Sequence, residues 1–221
     1  MKPLLLWTER PVPIARELET HAWMAEHREF VSDRCELVYD NAPGDWRHYS
    51  VAFHAVWRRA RLEGRSLIDL ESDVVPTEEA FDQLIACPEQ VCMVPYELKD
   101  FYGRPSPGYS AVVEKKVPGG WDCHFPKPGE ERAEYGDLGF VKFGPKVTQL
   151  DFDEVPDLAH DDDMLNLAIF NFLREKYRRY EMLHLHWPGL KNNHVAWDAG
   201  DYAHHGPGYV PPYDARLRTN P

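Results

Sequence analysis

The sequence has little that would place it in or across a membrane. Its only apolar run near the N-terminus is Leu4-Leu5-Leu6-Trp7. That is too short for the apolar region of a signal peptide, and a bilayer span takes about 20 residues. It has the length of a buried first strand, so no membrane partner is expected and the cytoplasm is the expected location. Cysteine is scarce as well. Cys35, Cys87, Cys92 and Cys123 are the only four, and their spacing matches neither a zinc motif nor a dense disulfide framework. They read as reduced and mostly buried. Positive charge is in deficit: 25 Lys and Arg stand against 37 Asp and Glu, for a net charge of -12. A polyanion-binding protein usually carries a basic stripe. The basic clusters here, Arg58-Arg59 with Arg61 and Lys176 to Arg179, fall on expected helices and read as solvated helix faces. Charge therefore gives no sign of a nucleic-acid partner. It leaves a nucleic acid open as an acceptor, because a local groove can be basic in an acidic protein. No internal repeat and no low-complexity block is found.

What is present is a regular alternation of strand and helix patterns. At 221 residues and 43% hydrophobic content, the chain suits one globular domain. That domain is expected over residues 1–195, with a Pro/Gly-rich C-terminal tail over 196–221. Residues 3–7 read as a strand. Ile14, Leu18, Ala22 and Ala25 recur at helical spacing, so a helix is expected to about Glu29. Cys35 to Tyr39 reads as the second strand, closed by a turn at Asp40-Asn41-Ala42-Pro43-Gly44. Phe53, Val56, Trp57 and Ala60 share one helical face, and Gly64 ends that helix. Ser66 to Leu70 is a third strand, and Val91 to Val94 a fourth. Between them Thr77 is the expected N-cap of a helix whose first turn holds Glu78 and Glu79, as the helix dipole favours. From Leu98 to Ala133 the chain is rich in Pro, Gly and aromatic residues. Apart from a strand at Ala111 to Glu114, it reads as loop, and a loop of that length is often functional. Strands are expected again at Leu138 to Gly144 and Leu183 to Trp187, with a long helix from Asp161 to Met182. This order builds a largely parallel α/β sheet flanked by helices.

The strongest chemical signal is Ile68-Asp69-Leu70-Glu71-Ser72-Asp73-Val74-Val75-Pro76-Thr77. In open α/β sheets, ligands collect beyond the carboxyl ends of the strands. Carboxylates two residues apart repel one another and are costly to desolvate unpaired. A hard divalent cation relieves both problems, and Mg²⁺ or Mn²⁺ typically takes one or two carboxylates together with substrate phosphates. The plainer reading of the same residues is a solvated acidic turn before a helix. His184-Leu185-His186 is a second feature, since alternate residues of a strand face the same way. The early histidines His21, His27, His48 and His54 form no motif.

In its place between a buried strand and a Pro-Thr-capped helix, Glu71-Ser72-Asp73 resembles the DxD motif of GT-A glycosyltransferases of the family 2 type. Glu71 departs from the Asp of that motif, which leaves Asp73 as the better ligand. Gly136-Asp137-Leu138-Gly139-Phe140-Val141-Lys142-Phe143 is similar to the glycine-containing strand that borders the acceptor site in such enzymes. Asp161-Asp162-Asp163 resembles the acidic helix start that often supplies their catalytic base, although carboxylates also suit a helix N-terminus for electrostatic reasons alone. The resemblance implies a GT-A-like, Rossmann-like fold with a mixed, mostly parallel sheet. It implies transfer of a sugar from a UDP- or GDP-type nucleotide-sugar donor to an acceptor hydroxyl, with Mn²⁺ or Mg²⁺ as cofactor. The metal would be held by Asp73 and Glu71, with a late histidine, His186 first and His194 second. The donor nucleotide would lie near Thr8, Glu9 and Arg10 after the first strand, Asp40 after the second, Glu71, and Lys191 at the phosphates. Two other functions fit the same carboxylates: a metal-dependent hydrolase or nuclease, and a non-catalytic sugar-binding domain of GT-A-like fold.

Overall fold

Leu4–Thr8 forms strand β1, and Leu4, Leu5 and Leu6 are fully buried. A strand with both faces covered has no polar alternation, which is why this run is continuously apolar. In the computed structural model, the described residues are 1–8, 17–40, 46–99, 105–118, 120–154, 162–178 and 181–192. After β1 come helices α1 (Leu18–Glu26) and α2 (Arg28–Arg34), strand β2 (Glu36–Asp40), helix α3 (Trp46–Glu63) and strands β3 (Leu67–Leu70) and β4 (Val74–Val75). Helix α4 (Glu78–Ala86) and strand β5 (Val91–Met93) follow. The central segment carries β6 (Glu97–Lys99), β7 (Pro105–Tyr109), β8 (Ala111–Val117), β9 (Gly120–His124), β10 (Arg132–Ala133) and β11 (Tyr135–Gly136). Then come β12 (Phe140–Phe143), the short helix α5 (Pro145–Thr148), a 3-10 turn at Phe152–Glu154, helix α6 (Asp162–Lys176), β13 (Leu183–Leu185) and β14 (Lys191–Asn192).

The main sheet has seven strands in the order β10-β13-β5-β12-β3-β1-β2. β1, β2, β3, β5 and β13 run one way, and β12 and β10 run against them. It is the mixed, mostly parallel α/β sheet expected from the sequence. Successive side chains of a strand face opposite ways, and each face feeds its own core. On one face Leu4, Leu6, Leu67, Met93, Val141 and Phe143 pack against Phe53 and Trp57 of α3 and Ile169 and Leu173 of α6. On the other, Leu5, Trp7, Ile68, Leu70, Cys92 and Phe140 pack against Met24 of α1, Val31 of α2 and Phe81 and Leu84 of α4. Each such side chain contributes about 1.5–3 kcal/mol by leaving water.

Several local expectations are refined. The first helix bends at His27, where the backbone leaves helical geometry (φ -99°, ψ 21°) and the ring stacks on Trp23 at 4.2 Å. In the 98–133 stretch the strand expected at Ala111 to Glu114 is β8, which runs on to Val117, and β7 and β9 form where loop was expected. β7 hides from pattern reading because it is Pro-Ser-Pro-Gly-Tyr, and the end of β8 hides because its Lys-Lys-Val tail does not alternate cleanly. The basic residues of α3 do sit on a solvated face. Arg58 pairs with Asp153 at 2.6 Å, Arg61 with Asp151 at 2.7 Å, and Arg59 with Glu36 and Glu63. Cys35, Cys87 and Cys92 are buried thiols outside any disulfide, and Cys123 is exposed. Among the described residues, no helix is long and apolar enough to cross a membrane.

Candidate functional site

The wholly buried strand β3 runs into Glu71 and then the turn at Ser72 and Asp73. Three bonds shape that turn. Glu71 N donates to Gly139 O at 3.0 Å, and Val74 N donates back to Glu71 O at 3.3 Å. Ser72 Oγ donates to Glu17 Oε1 at 3.1 Å. Behind the turn, Thr77 caps α4 by accepting from Ala80 N at 3.1 Å, as its place in the sequence predicts. Asp73 is 5% exposed, whereas Glu71 and Ser72 are half-buried.

Gly139 is part of this frame. A Cβ there would stand 2.2 Å from Tyr96 Cε1. Tyr96 is itself buried at 3% exposure. Only a residue without a side chain lets the strand entering β12 lie close enough to Tyr96 and still offer its carbonyl to Glu71.

Strand register brings other expected residues to the same edge. β1 and β3 are parallel, with Trp7 opposite Leu70, so Thr8 ends β1 beside the start of the acidic turn. Thr8 is opposite Asp40, the last residue of β2. β14 pairs antiparallel with β4, placing Lys191 opposite Val75 and Asn192 opposite Val74. The backbones of Thr8, Asp40, Glu71, Asp73 and Lys191 therefore converge on the carboxyl ends of the parallel strands, where α/β sheets bind ligands. Asp162 and Asp163 open α6. Glu9, Arg10, Asp161 and His194 lie outside the described residues, as do the side chains of Thr8, Asp40, Asp162, Asp163 and Lys191.

Asp69 is a further carboxylate of the acidic motif. It is fully buried and points to the α3 side, where the Tyr49 hydroxyl donates to Oδ2 at 2.6 Å. Its Oδ1 is buried with no hydrogen-bond partner among the described residues. Burial pushes its carboxyl up to about 8, against the opposing pull of the Tyr49 hydrogen bond. Burial, then the nearby charges of Asp69 and Glu71, drives the Tyr49 hydroxyl well above its usual range. Glu71 and Asp73 offer only oxygen donors, and Asp73 is nearly buried. That donor set fits a hard ion such as Mn²⁺ or Mg²⁺.

His184 and His186 lie at β13, with His184 opposite Cys92 of β5 and His186 N donating to Met93 O at 2.9 Å. Their rings meet edge-on with centroids 4.7 Å apart. The structure groups both with Cys87, at the C-terminal end of α4. β5 and β12 stand between β13 and β3 in the sheet, three strand spacings or about 14 Å.

No protein-family model matches the chain, and no curated protein matches it significantly. Among solved structures, the chain is similar in fold to A197 from STIV, with a TM-score of 0.54 at 16% identity over 86% of this chain and 84% of that one. A glycosyltransferase involved in the glycosylation of the major capsid of PBCV-1 matches with a TM-score of 0.45 at 12% identity, over 85% and 83% of the two chains. S. aureus TarS 1-349 matches with a TM-score of 0.46 at 11% identity, over 86% of this chain and 59% of that one.

Proposed function

We propose that this protein transfers a sugar from a nucleotide-diphosphate sugar to an acceptor hydroxyl. The observation that carries the reading is the acidic turn Glu71-Ser72-Asp73 at the carboxyl end of a buried parallel strand, with β14 paired beside it. Thr8, Glu9, Arg10 and Asp40 would surround the nucleoside, and Lys191 would meet the diphosphate. Asp73, with Glu71, would hold Mn²⁺ or Mg²⁺. When bound, such an ion neutralises the charge that develops on the departing diphosphate. In an inverting reaction one of Asp161, Asp162 and Asp163 takes the acceptor's hydroxyl proton. The acceptor oxygen then bonds the anomeric carbon as the bond from that carbon to the diphosphate breaks.

The test is a thermal-shift screen of nucleotide sugars with and without Mn²⁺, repeated on Asp73→Asn. A ligand that binds only the folded state raises the melting temperature. The expected result is a Mn²⁺-dependent shift with a UDP or GDP sugar. In Asp73→Asn that shift should vanish, and turnover should drop by at least about 100-fold, with the fold retained. Unchanged metal and nucleotide binding in this variant would sink the assignment.

A further inference from the structure

Among the described residues, Cys87, His184 and His186 are the group of metal-ligating side chains the structure draws together. One donor atom from each lies within 4.8 Å of the other two. Cys87 is 7% exposed, and both histidines are half-buried. Two of the ring nitrogens, His184 Nδ1 and His186 Nε2, are buried without a hydrogen-bond partner among the described residues. Buried nitrogens of this kind are costly to leave unsatisfied, and two of them beside one sulfur point to a ligand between them.

The surroundings hold the three donors in place. Lys142 is buried on the same sheet face and donates through Nζ to Cys87 O, fixing the backbone that carries the thiol. Cys92, opposite His184 in the sheet, donates through Sγ to Glu89 O at 3.3 Å. His186 is anchored by its backbone bond to Met93. The donors thus come from the end of α4, tied to β12 by Lys142, and from β13 and the residue after it, fastened to β5.

We propose that Cys87, His184 and His186 form a binding site for one Zn²⁺ ion, chemically distinct from the acidic turn and independent of the transferase reading. Zinc is typically four-coordinate and takes thiolate and imidazole ligands. One sulfur and two nitrogens supply three positions and leave the fourth to water. Soft and borderline donors of this kind discriminate against Mn²⁺ and Mg²⁺, which take oxygen. Zinc binding displaces the thiol proton to solvent and requires neutral imidazoles. The ion ties the end of α4 to β13 across β5. From His186 the chain continues through Trp187 and Gly189 into β14, so the same ion steadies the approach to the strand beside Asp73.

The test uses the full chain, reduced and freed of metal, titrated with Co²⁺ as a spectroscopic stand-in for Zn²⁺. A near-ultraviolet thiolate-to-cobalt band with visible bands of tetrahedral Co²⁺ is expected, saturating at one ion per chain and abolished by Zn²⁺ but not by excess Mn²⁺. Cys87→Ala should lose the thiolate band. Cys92→Ala should keep it, because the Cys92 thiol is spent on Glu89 O and not on the ion. Cys123→Ser should behave as wild type. Asp73→Asn should keep the band in full, which separates this site from the proposed transferase centre. Absence of the band in the wild-type chain overturns the proposal without reference to any variant. So does its survival in Cys87→Ala, or a Cys87–Cys92 disulfide with no zinc by elemental analysis in protein prepared under reductant.

Discussion

The Tyr49 hydroxyl donates to Oδ2 of Asp69 at 2.6 Å, joining the first turns of α3 to the strand that delivers the acidic turn. Asp69 is wholly enclosed, and burial lifts its carboxyl to about 8. The linkage has a definite sign. From the ordinary value of 3.8 up to about 8, the unfolded chain gives up this proton while the folded chain keeps it. The contribution to stability is therefore full below the lower value and is lost as pH rises through the upper one. In metal-free buffer, the difference in unfolding free energy between wild type and Asp69→Asn should change steadily from about pH 5 to about pH 8, in favour of the amide at the alkaline end. Tyr49→Phe should cost about 1–3 kcal/mol by leaving the carboxyl without its donor. A pH-independent difference between wild type and Asp69→Asn would show that Asp69 ionises normally.

Gly139→Ala tests the frame of the acidic turn. The added carbon would stand 2.2 Å from the ring of buried Tyr96, so the ring or the strand must move. Overpacking of this kind costs about 1–3 kcal/mol. Because Gly139 O receives the Glu71 N–H, the same movement disturbs the turn. Urea unfolding should show the loss of stability, and the Mn²⁺-dependent thermal shift should shrink with it. A double variant that also carries Tyr96→Leu should recover part of both.

Thr77→Ala should cost about 1 kcal/mol, the usual value of a side-chain cap, because Ala80 N loses its acceptor. Thr77→Ser should restore it. Urea midpoints should shift with an unchanged slope, as expected when stability alone is altered. Equal midpoints for Thr77→Ala and wild type would count against the cap.

How far the sequence speaks for itself depends on distance along the chain. The β1 run, the β3 run with its acidic turn and the Thr77 cap are each local, and each reads directly as a pattern of neighbouring residues. The bend at His27 is not legible, because it turns on a ring stacked on Trp23 rather than on a helix-breaking residue. Asp69 is visible as a carboxylate in an apolar strand, but its partner Tyr49 comes from a different element. The Cys87, His184 and His186 group leaves no spacing to recognise, since Cys87 and the histidines meet only because β13 pairs with β5. Strand register, unlike secondary structure, is set by which elements pack together, and short polar strands such as β7 give no pattern to align.

The position of β12 has a consequence for how the chain can be made. In sequence it comes late, yet in the sheet it lies between β3 and β5, bonded to both. A nascent chain emerging from the ribosome thus holds the β3-β1-β2 group on one side and β5 without a main-sheet partner on the other, with apolar edges open, until residues 140–143 arrive to bridge them. Long-range pairings of this kind close slowly, and unpaired edges in the meantime invite association between chains. Chains that stop short of β12 should therefore aggregate rather than persist as a smaller folded unit.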